Sequence, residues 1–395
     1  MSVHFLLPGI AFPHLRRSGA VLFALLWVAA APGPVQAAGP ETAAGVRVEG
    51  PGEAPHLFFA CCDQGMAAAQ KLFADRAVMT GLQALHAGLA VAVPDASAER
   101  AQLVQRLNAA GIPVVAWIEL PCDGTYINAG DVPQTKAAVA AFEQWSDRYG
   151  LHWQGVGLDI EPNFSELGRL RGHPWRMVRL LASRYVDRAR VFRARSSYAE
   201  LIRQLHARGY RVQTYQLPFI VAEREEHSTL IERLLGVVDV RGDEEAIMLY
   251  TSMVPEVGAG IIRVLGPDAQ AIAIGSTMGD PSAGPRGRPL DWDTFSRDLL
   301  VAAHFTRTVG VYDLEGCVQQ GFLERLRSMD WHPSVVIPAA KVRRAQQRAG
   351  AVRAIVRIGT WLPAIAAVGI LWLVAAFWLW RAHRRLVRLR LESRR

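Results

Sequence analysis

Short apolar runs alternate with longer amphipathic stretches along most of the chain, and this alternation constrains the fold more than any other feature. Each run is rich in Val, Ile, Ala and aromatic residues, which is typical of a buried β-strand. Strands that alternate with helices build a parallel sheet whose faces the helices cover. The runs occupy residues 56–62, 88–93, 113–120, 155–161, 211–217, 246–252, 271–277 and 309–316.

Eight runs over roughly 280 residues predict an α/β fold, a (β/α)8 barrel, whose usual size is about 250 residues. Helical patterns fill the intervals, and Gly111, Gly150 and Gly209 directly follow three of them, as helix C-terminal caps do. An open doubly wound sheet is the alternative. It is less favoured because no G-x-G-x-x-G segment follows any run.

Net charge separates the C-terminal region from the rest. The chain has 395 residues and a formal charge of +8, but residues 338–395 hold 13 Lys/Arg and a single acid, Glu392. That region therefore carries +12, and the first 337 residues carry −4. We expect no nucleic-acid partner, because the barrel domain is predicted to be exported, as argued next, and no nucleic-acid motif is present.

The N-terminal region resembles an export signal. Arg16 and Arg17 precede a short apolar core at 18–31, and Val35 and Ala37 occupy the positions that a signal peptidase reads. Residues 1–37 are therefore predicted to be a signal peptide, 38–55 a linker and 56–337 the barrel domain. An uncleaved anchor is the alternative, which Pro32 and Pro34 disfavour because they end the apolar run early.

A second apolar segment lies near the C-terminus. Trp361 to Trp380 is uncharged and long enough to cross a bilayer, so we predict a transmembrane helix at 359–380. Flanking basic residues are nearly balanced, and the signal peptide decides the orientation, with the barrel exported and residues 381–395 forming a cytoplasmic tail. Residues 338–358 are predicted to be a basic juxtamembrane stalk, which contacts anionic head groups or is a solvated helix.

Four cysteines follow the first, third and eighth runs: Cys61, Cys62, Cys122 and Cys317. In an exported protein they form one or two disulfides, whose connectivity spacing does not reveal, or remain buried thiols. A thiolate metal site is disfavoured by the absence of C-x-x-C and of histidine at ligand spacing. We expect no metal and no cofactor.

The fourth run, GVGLDIEP, ends in two carboxylates. Asp159 and Glu161 lie two residues apart and therefore share one face of the strand, and Pro162 ends the pairing. In a (β/α)8 barrel this end of the strands forms the active-site face. Aromatic and acidic residues end other runs too, a combination suited to binding sugars; the candidate substrate-binding residues among them are Trp117, Glu119, Tyr215, Asp313 and Glu315.

Residues 154–161 resemble the D-G-x-D-x-D-x-E signature of glycoside hydrolase family 18, the chitinase superfamily, with Gly155, Asp159 and Glu161 at matching positions. The segment IMLY is similar to the family's M-x-Y, which adds Met248 and Tyr250 to the candidate site. Gln154 and Gly157 stand where the family has its first two aspartates. No S-x-G-G-like segment is present.

Cleavage of a glycosidic bond requires a carboxylic acid that protonates the leaving oxygen. Glu161, last on the run, is the candidate acid, and Asp159 beside it is placed to raise its proton affinity. The resemblance implies that a substrate acetamido group is the nucleophile, with Tyr250 supporting it. The sequence thus predicts a membrane-anchored, exported hydrolase acting on an N-acetylhexosamine-containing glycan.

Two other functions remain open. Loss of the two aspartates is also what a barrel that binds glycans without turnover would show. A D-x-E at this position is likewise found in family 25 lysozymes, which cleave peptidoglycan and for which Asp63 would supply the second acid. Residues 163–197 form a basic insertion after the D-x-E run, with nine Arg against two acids, that either contacts an anion or is a helix with a solvated basic face.

Overall fold

The computed structural model describes residues 45–120, 126–163, 166, 168, 170, 173–279 and 287–392. The predicted signal peptide and Cys122 lie outside these residues. Ten strands are described: β1 Gly45–Val48, β2 His56–Cys61, β3 Gly88–Val93, β4 Val114–Ile118, β5 Gly155–Asp159, β6 Arg211–Gln216, β7 Glu244–Met248, β8 Ala271–Gly275, β9 Thr308–Tyr312 and β10 Val335–Pro338.

Helices alternate with the barrel strands along the described residues, and a long helix follows β10. They are α1 Met66–Ala74, α2 Arg76–Ala84, α3 Ala98–Ala109, α4 Val132–Tyr149, α5 Pro174–Val186, α6 Arg188–Ala207, α7 Phe219–Glu225, α8 Leu230–Leu235, α9 Gly260–Leu265, α10 Trp292–Phe305, α11 Leu314–Gln319, α12 Phe322–Arg327 and α13 Ala339–Glu392.

Strands β2 to β9 form a closed parallel barrel in chain order, with β9 pairing back onto β2. This confirms the eight predicted strands and excludes the open doubly wound sheet. Closure satisfies the backbone of every barrel strand and leaves no exposed edge. Gly111, Gly150 and Gly209 follow α3, α4 and α6 with positive φ values of 69°, 59° and 84°, which is the predicted capping geometry.

The residues just outside the barrel differ from the prediction. Gly45–Val48, expected in a linker, forms β1 and pairs antiparallel with β10, so that Gly45 lies opposite Pro338. Both strands flank the barrel in the sequence and meet beside it. The alternation of Val46 and Val48 with polar residues was too short to distinguish this strand from a linker.

The basic stalk is also not free of the barrel. Its residues form the first part of α13, which packs on α7, α8 and α9. Five small or branched apolar side chains are buried at alternating spacings of three and four residues, the pattern of a helix seam: Val342, Ala345, Ala349, Val352 and Val356. The many arginines of this segment suggested a basic stalk apart from the barrel, so the apolar seam between them was not recognised. In the structure, arginines of the segment pair with acids of the barrel domain.

Residues 359–380, predicted to be a transmembrane helix, lie in the second part of α13. Within the described portion of the chain, we find no helix that combines the length and the apolar character needed to cross a membrane.

Candidate functional site

Small side chains inside the barrel leave room for a cavity at the carboxyl ends of the strands. Ala60, Ala90, Ala273 and Gly310 line it from four different strands, and its volume is about 120 Å³. The rest of its wall is largely aromatic and includes Phe58, Trp117, Tyr126, Tyr215, Tyr250 and Tyr312. A cavity with an aromatic wall at this end of a barrel is the expected place for a ligand.

Asp159 and Glu161 enter this cavity together, as the strand geometry predicted. Asp159 is the last residue of β5 and is buried, and Glu161 lies two residues later and is partly buried. The isolated bridge between Ile160 and Ile127 extends the parallel pairing past Asp159. Glu161 N also donates to Ile127 O at 3.2 Å, so the backbone that carries the second carboxylate is held in place.

Burial makes both carboxyl groups hold a proton more tightly than usual. It raises the pKa of Asp159 to about 7, although the Trp117 indole, as a hydrogen-bond donor, opposes the rise. It raises the pKa of Glu161 further above the ordinary value, because the neighbouring Asp159 charge adds to the cost of ionisation. Burial and the neighbouring carboxylate thus both favour the protonated form of Glu161, which is the form able to donate a proton.

Tyr250 faces these acids from the strand end of β7. Its ring stacks on Tyr312 with centroids 5.8 Å apart and planes at 20°. Burial raises the pKa of the Tyr250 hydroxyl, and Asp159 and Glu161 are the next largest causes. Tyr250 therefore lines the same cavity as both carboxyl groups.

The other predicted substrate-binding residues divide into two groups. Trp117, Tyr215, Met248 and Asp313 line the cavity, whereas Glu119 and Glu315 are not among its lining residues. Glu315 is buried outside the cavity lining, and its Oε1 accepts a hydrogen bond from Cys62 N at 2.7 Å.

Asp313 also stabilises a helix N-terminus. Its Oδ1 accepts from Gly316 N at 2.8 Å and caps α11.

Gly157 explains how the site differs from the family 18 pattern. A Cβ on Gly157 would lie 3.0 Å from Tyr215 Cε2 and 3.6 Å from Tyr215 Oη. The ring of Tyr215 thus occupies the space beside the position where the family carries an aspartate. A relay carboxylate at this position is replaced by an aromatic wall, and Tyr215 Oη donates instead to Gln213 Oε1 at 3.1 Å.

Tyr126 was not proposed from the sequence, and Tyr312 was expected only as one of the polar residues at the end of the eighth run. Tyr126 lies in the loop after β4, and the surrounding acids, after burial itself, raise the pKa of its hydroxyl. Tyr312 donates to Asp63 Oδ2 at 3.0 Å. A tyrosine inside the polar segment DGTYINAG after a predicted strand was the signal for Tyr126; Asp63, the second acid of the lysozyme alternative, lies outside the cavity lining.

Of the two alternatives for the cysteines, disulfides or buried thiols, the described residues show the second. Among the described residues Cys61, Cys62 and Cys317 are buried and free. Cys61 and Cys62 have their Sγ atoms 2.8 Å apart, and burial is the main cause that raises the pKa of both Cys61 and Cys317. These thiols therefore pack as small apolar side chains in the core.

Comparison with known proteins adds little beyond the fold. No family model matches the chain, and no curated protein matches it in sequence. Among solved structures, the chain is similar to the PgaB (BpsB) glycoside hydrolase domain from Bordetella bronchiseptica, at 11% identity and a TM-score of 0.40, over 70% of this chain and 99% of that one. The barrel assignment itself rests on the strand pairing described above.

Chemically, the cavity is suited to stabilising positive charge. Its described lining includes Asp159, Glu161 and Asp313 and no Lys or Arg. The transition state of glycoside hydrolysis resembles an oxocarbenium ion, which nearby carboxylates stabilise. Aromatic faces on the same wall offer stacking surfaces for a sugar ring.

Proposed function

We propose that the barrel binds and hydrolyses a glycan containing N-acetylhexosamine, with Glu161 as the general acid. One observation carries this proposal: Glu161, whose protonated form is favoured by burial and by its neighbour Asp159, enters an aromatic cavity at the barrel mouth. A protonated acid near a sugar-stacking surface is what glycosidic cleavage needs.

The remaining roles follow from position. Asp159 orients the substrate's acetamido group and, when ionised, stabilises positive charge on it. Tyr250 donates a hydrogen bond from the facing strand end. In this scheme the acetamido oxygen attacks the anomeric carbon while the glycosidic bond breaks and the leaving oxygen takes the proton of Glu161. Water then opens the resulting cyclic intermediate and gives a proton back to Glu161, so the cavity needs no second enzyme nucleophile.

Replacement of Glu161 tests the acid. Glu161→Gln keeps the size of the side chain but has no acidic proton to deliver, so we expect turnover to fall by about 10² or more while the fold persists. The measurement is release of reducing ends from chitin oligosaccharides, peptidoglycan and other envelope glycans, with circular dichroism to confirm folding. Full activity in Glu161→Gln would refute the assignment.

A binding function without turnover is the second candidate, and Gly157 favours it. The relay aspartate of family 18 is missing there, and Tyr215 fills the space. This candidate predicts no reducing-end release by the wild-type protein. It further predicts that Glu161→Gln changes only the affinity for the glycan, as measured by calorimetry.

We also propose that the barrel is exported, on the basis of the signal-like residues 1–37. Removal of this segment would leave Ala38 as the first residue of the mature protein. Mass spectrometry of the purified protein tests this. An intact N-terminus beginning at Met1 in exported material would contradict cleavage.

A further inference from the structure

A second cavity of about 360 Å³ lies beside the barrel mouth, on the same face of the molecule. The same two loops line both cavities. In the loop after β4, Tyr126 faces the mouth and Asn128 the second cavity; in the loop after β5, Glu161 faces the mouth and Asn163 the second cavity. Two residues span at most about 7 Å of chain, so the cavities are immediate neighbours.

Two arginines bring unused hydrogen-bond donors to this cavity. The side chain of Arg184 is only 6% exposed, and its Nε has no hydrogen-bond partner within the described part of the chain. Its other nitrogens are engaged, Nη2 with Glu166 and Nη1 with Leu234 O at 3.3 Å. A buried N–H without a partner is costly, which indicates that something else accepts from it.

The second arginine, Arg190, lies close to the first. Their Nη2 atoms come within 3.7 Å and 3.6 Å of the point that a Cβ on Gly236 would occupy. The guanidinium of Arg190 makes no hydrogen bond or ion pair with the residues that the structure describes. Partial burial and the charge of Arg184 lower the pKa of Arg190, so the two cations are held together against their repulsion.

Acceptors complete the lining. Asp131 accepts from Asn128 Nδ2 at 2.6 Å, and Asp187 caps α6 by accepting from Arg190 N at 3.0 Å. Glu166 accepts from Arg184. Each carboxylate has further lone pairs, so donors and acceptors lie side by side around the cavity.

We propose that this cavity is a second sugar subsite, which binds the ring next along the glycan from the one in the barrel mouth. This rests on the proposed function. Vicinal sugar hydroxyls both donate and accept, so they satisfy the free N–H groups of the arginines and the open lone pairs of the acids together. The substrate is therefore an oligomer or polymer, held across both cavities.

The test compares substrates of two lengths. Arg190→Met removes the donors but keeps most of the apolar stem and relieves repulsion with Arg184, so it should fold. We expect its kcat/KM on a long chitin oligosaccharide to fall about tenfold more than on the disaccharide. The matched control is Arg193→Met, which replaces an exposed arginine on the same helix. It should leave kcat/KM unchanged on both the long oligosaccharide and the disaccharide.

Binding separates this proposal from the catalytic one. If the wild type cleaves nothing, calorimetry with Glu161→Gln and with the Glu161→Gln, Arg190→Met double variant still reports whether affinity for the long oligosaccharide depends on Arg190. Cleavage with an unchanged length dependence in Arg190→Met overturns the subsite and leaves the catalytic function standing. Failure of both long chitin oligosaccharides and peptidoglycan fragments to bind at millimolar concentration overturns the subsite outright.

Discussion

At the scale of single residues, carboxyl groups at the strand ends are buried in surroundings that disfavour their charged form. Asp159 has an oxygen without a hydrogen-bond partner among the described residues, and so does Glu315, whose pKa burial raises to about 8. The sequence predicted that Asp159 and Glu161 share a face, since strand periodicity fixes it. It did not predict that Glu315 would be buried outside the cavity lining, because that depends on where α11 packs.

The pKa shifts predict the pH dependence of turnover. Catalysis requires Asp159 ionised, so kcat/KM should rise as pH passes about 7; it also requires Glu161 protonated, so a falling limb should report loss of the proton from Glu161, whose pKa burial and Asp159 raise. Asp159→Asn should remove the rising limb and leave a slower enzyme. A profile in which Asp159→Asn keeps that limb would assign it to another group.

The raised pKa of Asp159 also makes the stability of the fold depend on pH, in the opposite direction to turnover. Because the folded pKa of Asp159 lies above its unfolded value, its contribution to stability is complete at low pH and is lost as pH rises through about 7. The charged site therefore opposes folding at the pH at which it works.

Gly157 gives a prediction about packing. Gly157→Ala places a methyl group 3.0 Å from the ring of Tyr215, so we expect the free energy of unfolding to fall by about 1–3 kcal/mol. Gly350→Ala is the control, because a Cβ there meets nothing within 4 Å on α13, and it should stabilise by about 0.5–1 kcal/mol. Urea unfolding curves of the two variants measure the difference; equal effects would show that Tyr215 moves aside without cost.

At the scale of elements, the sequence located all eight barrel strands but misjudged the segments at either end. A continuous apolar run marks a strand that is buried on both faces, whereas β1 and the seam of α13 become recognisable only through their partners. Ion pairs accompany the seam, with Arg357 Nη2 at 2.7 Å from Glu226 Oε1 and Arg348 Nη2 at 2.7 Å from Glu256 Oε1. Arg357 is exposed, so its pair contributes little to stability, whereas Arg348 is buried. The buried apolar seam, together with the Arg348–Glu256 pair, therefore holds this helix.

Truncation tests that seam. A chain ending after Thr360 keeps the seam and the hydrogen bond between Ser228 and Thr360 hydroxyls at 2.6 Å, so its barrel should be as stable as in the full chain. A chain ending after Pro338 exposes the faces of α7 and α9 and should lose several kcal/mol, at about 1.5–3 kcal/mol for each larger apolar side chain no longer buried. Thermal unfolding compares the two; equal midpoints would show that α13 only rests on the barrel.

At the scale of the whole molecule, the candidate site joins residues that are distant in the sequence. Trp117, Asp159, Tyr250 and Tyr312 come from four strands of one closed sheet, and the sequence placed them together only because barrel topology brings all strand ends to one face. The second cavity depends on the insertion at 163–197. The charge of this insertion was visible in the sequence, but the burial of Arg184 was not.

The pairing of β1 with β10 also sets an order of assembly. The two strands are separated in the sequence by the entire barrel. The entropic cost of bringing them together is large in the unfolded chain, and it falls once the folded barrel has brought the two ends of the intervening segment close to each other. We therefore expect the barrel to close first and the β1–β10 ribbon to form afterwards. Since α13 begins at Ala339, directly after β10, formation of the ribbon fixes the direction in which that helix starts. Docking of the C-terminal helix is thus kinetically linked to a strand at the opposite end of the described chain.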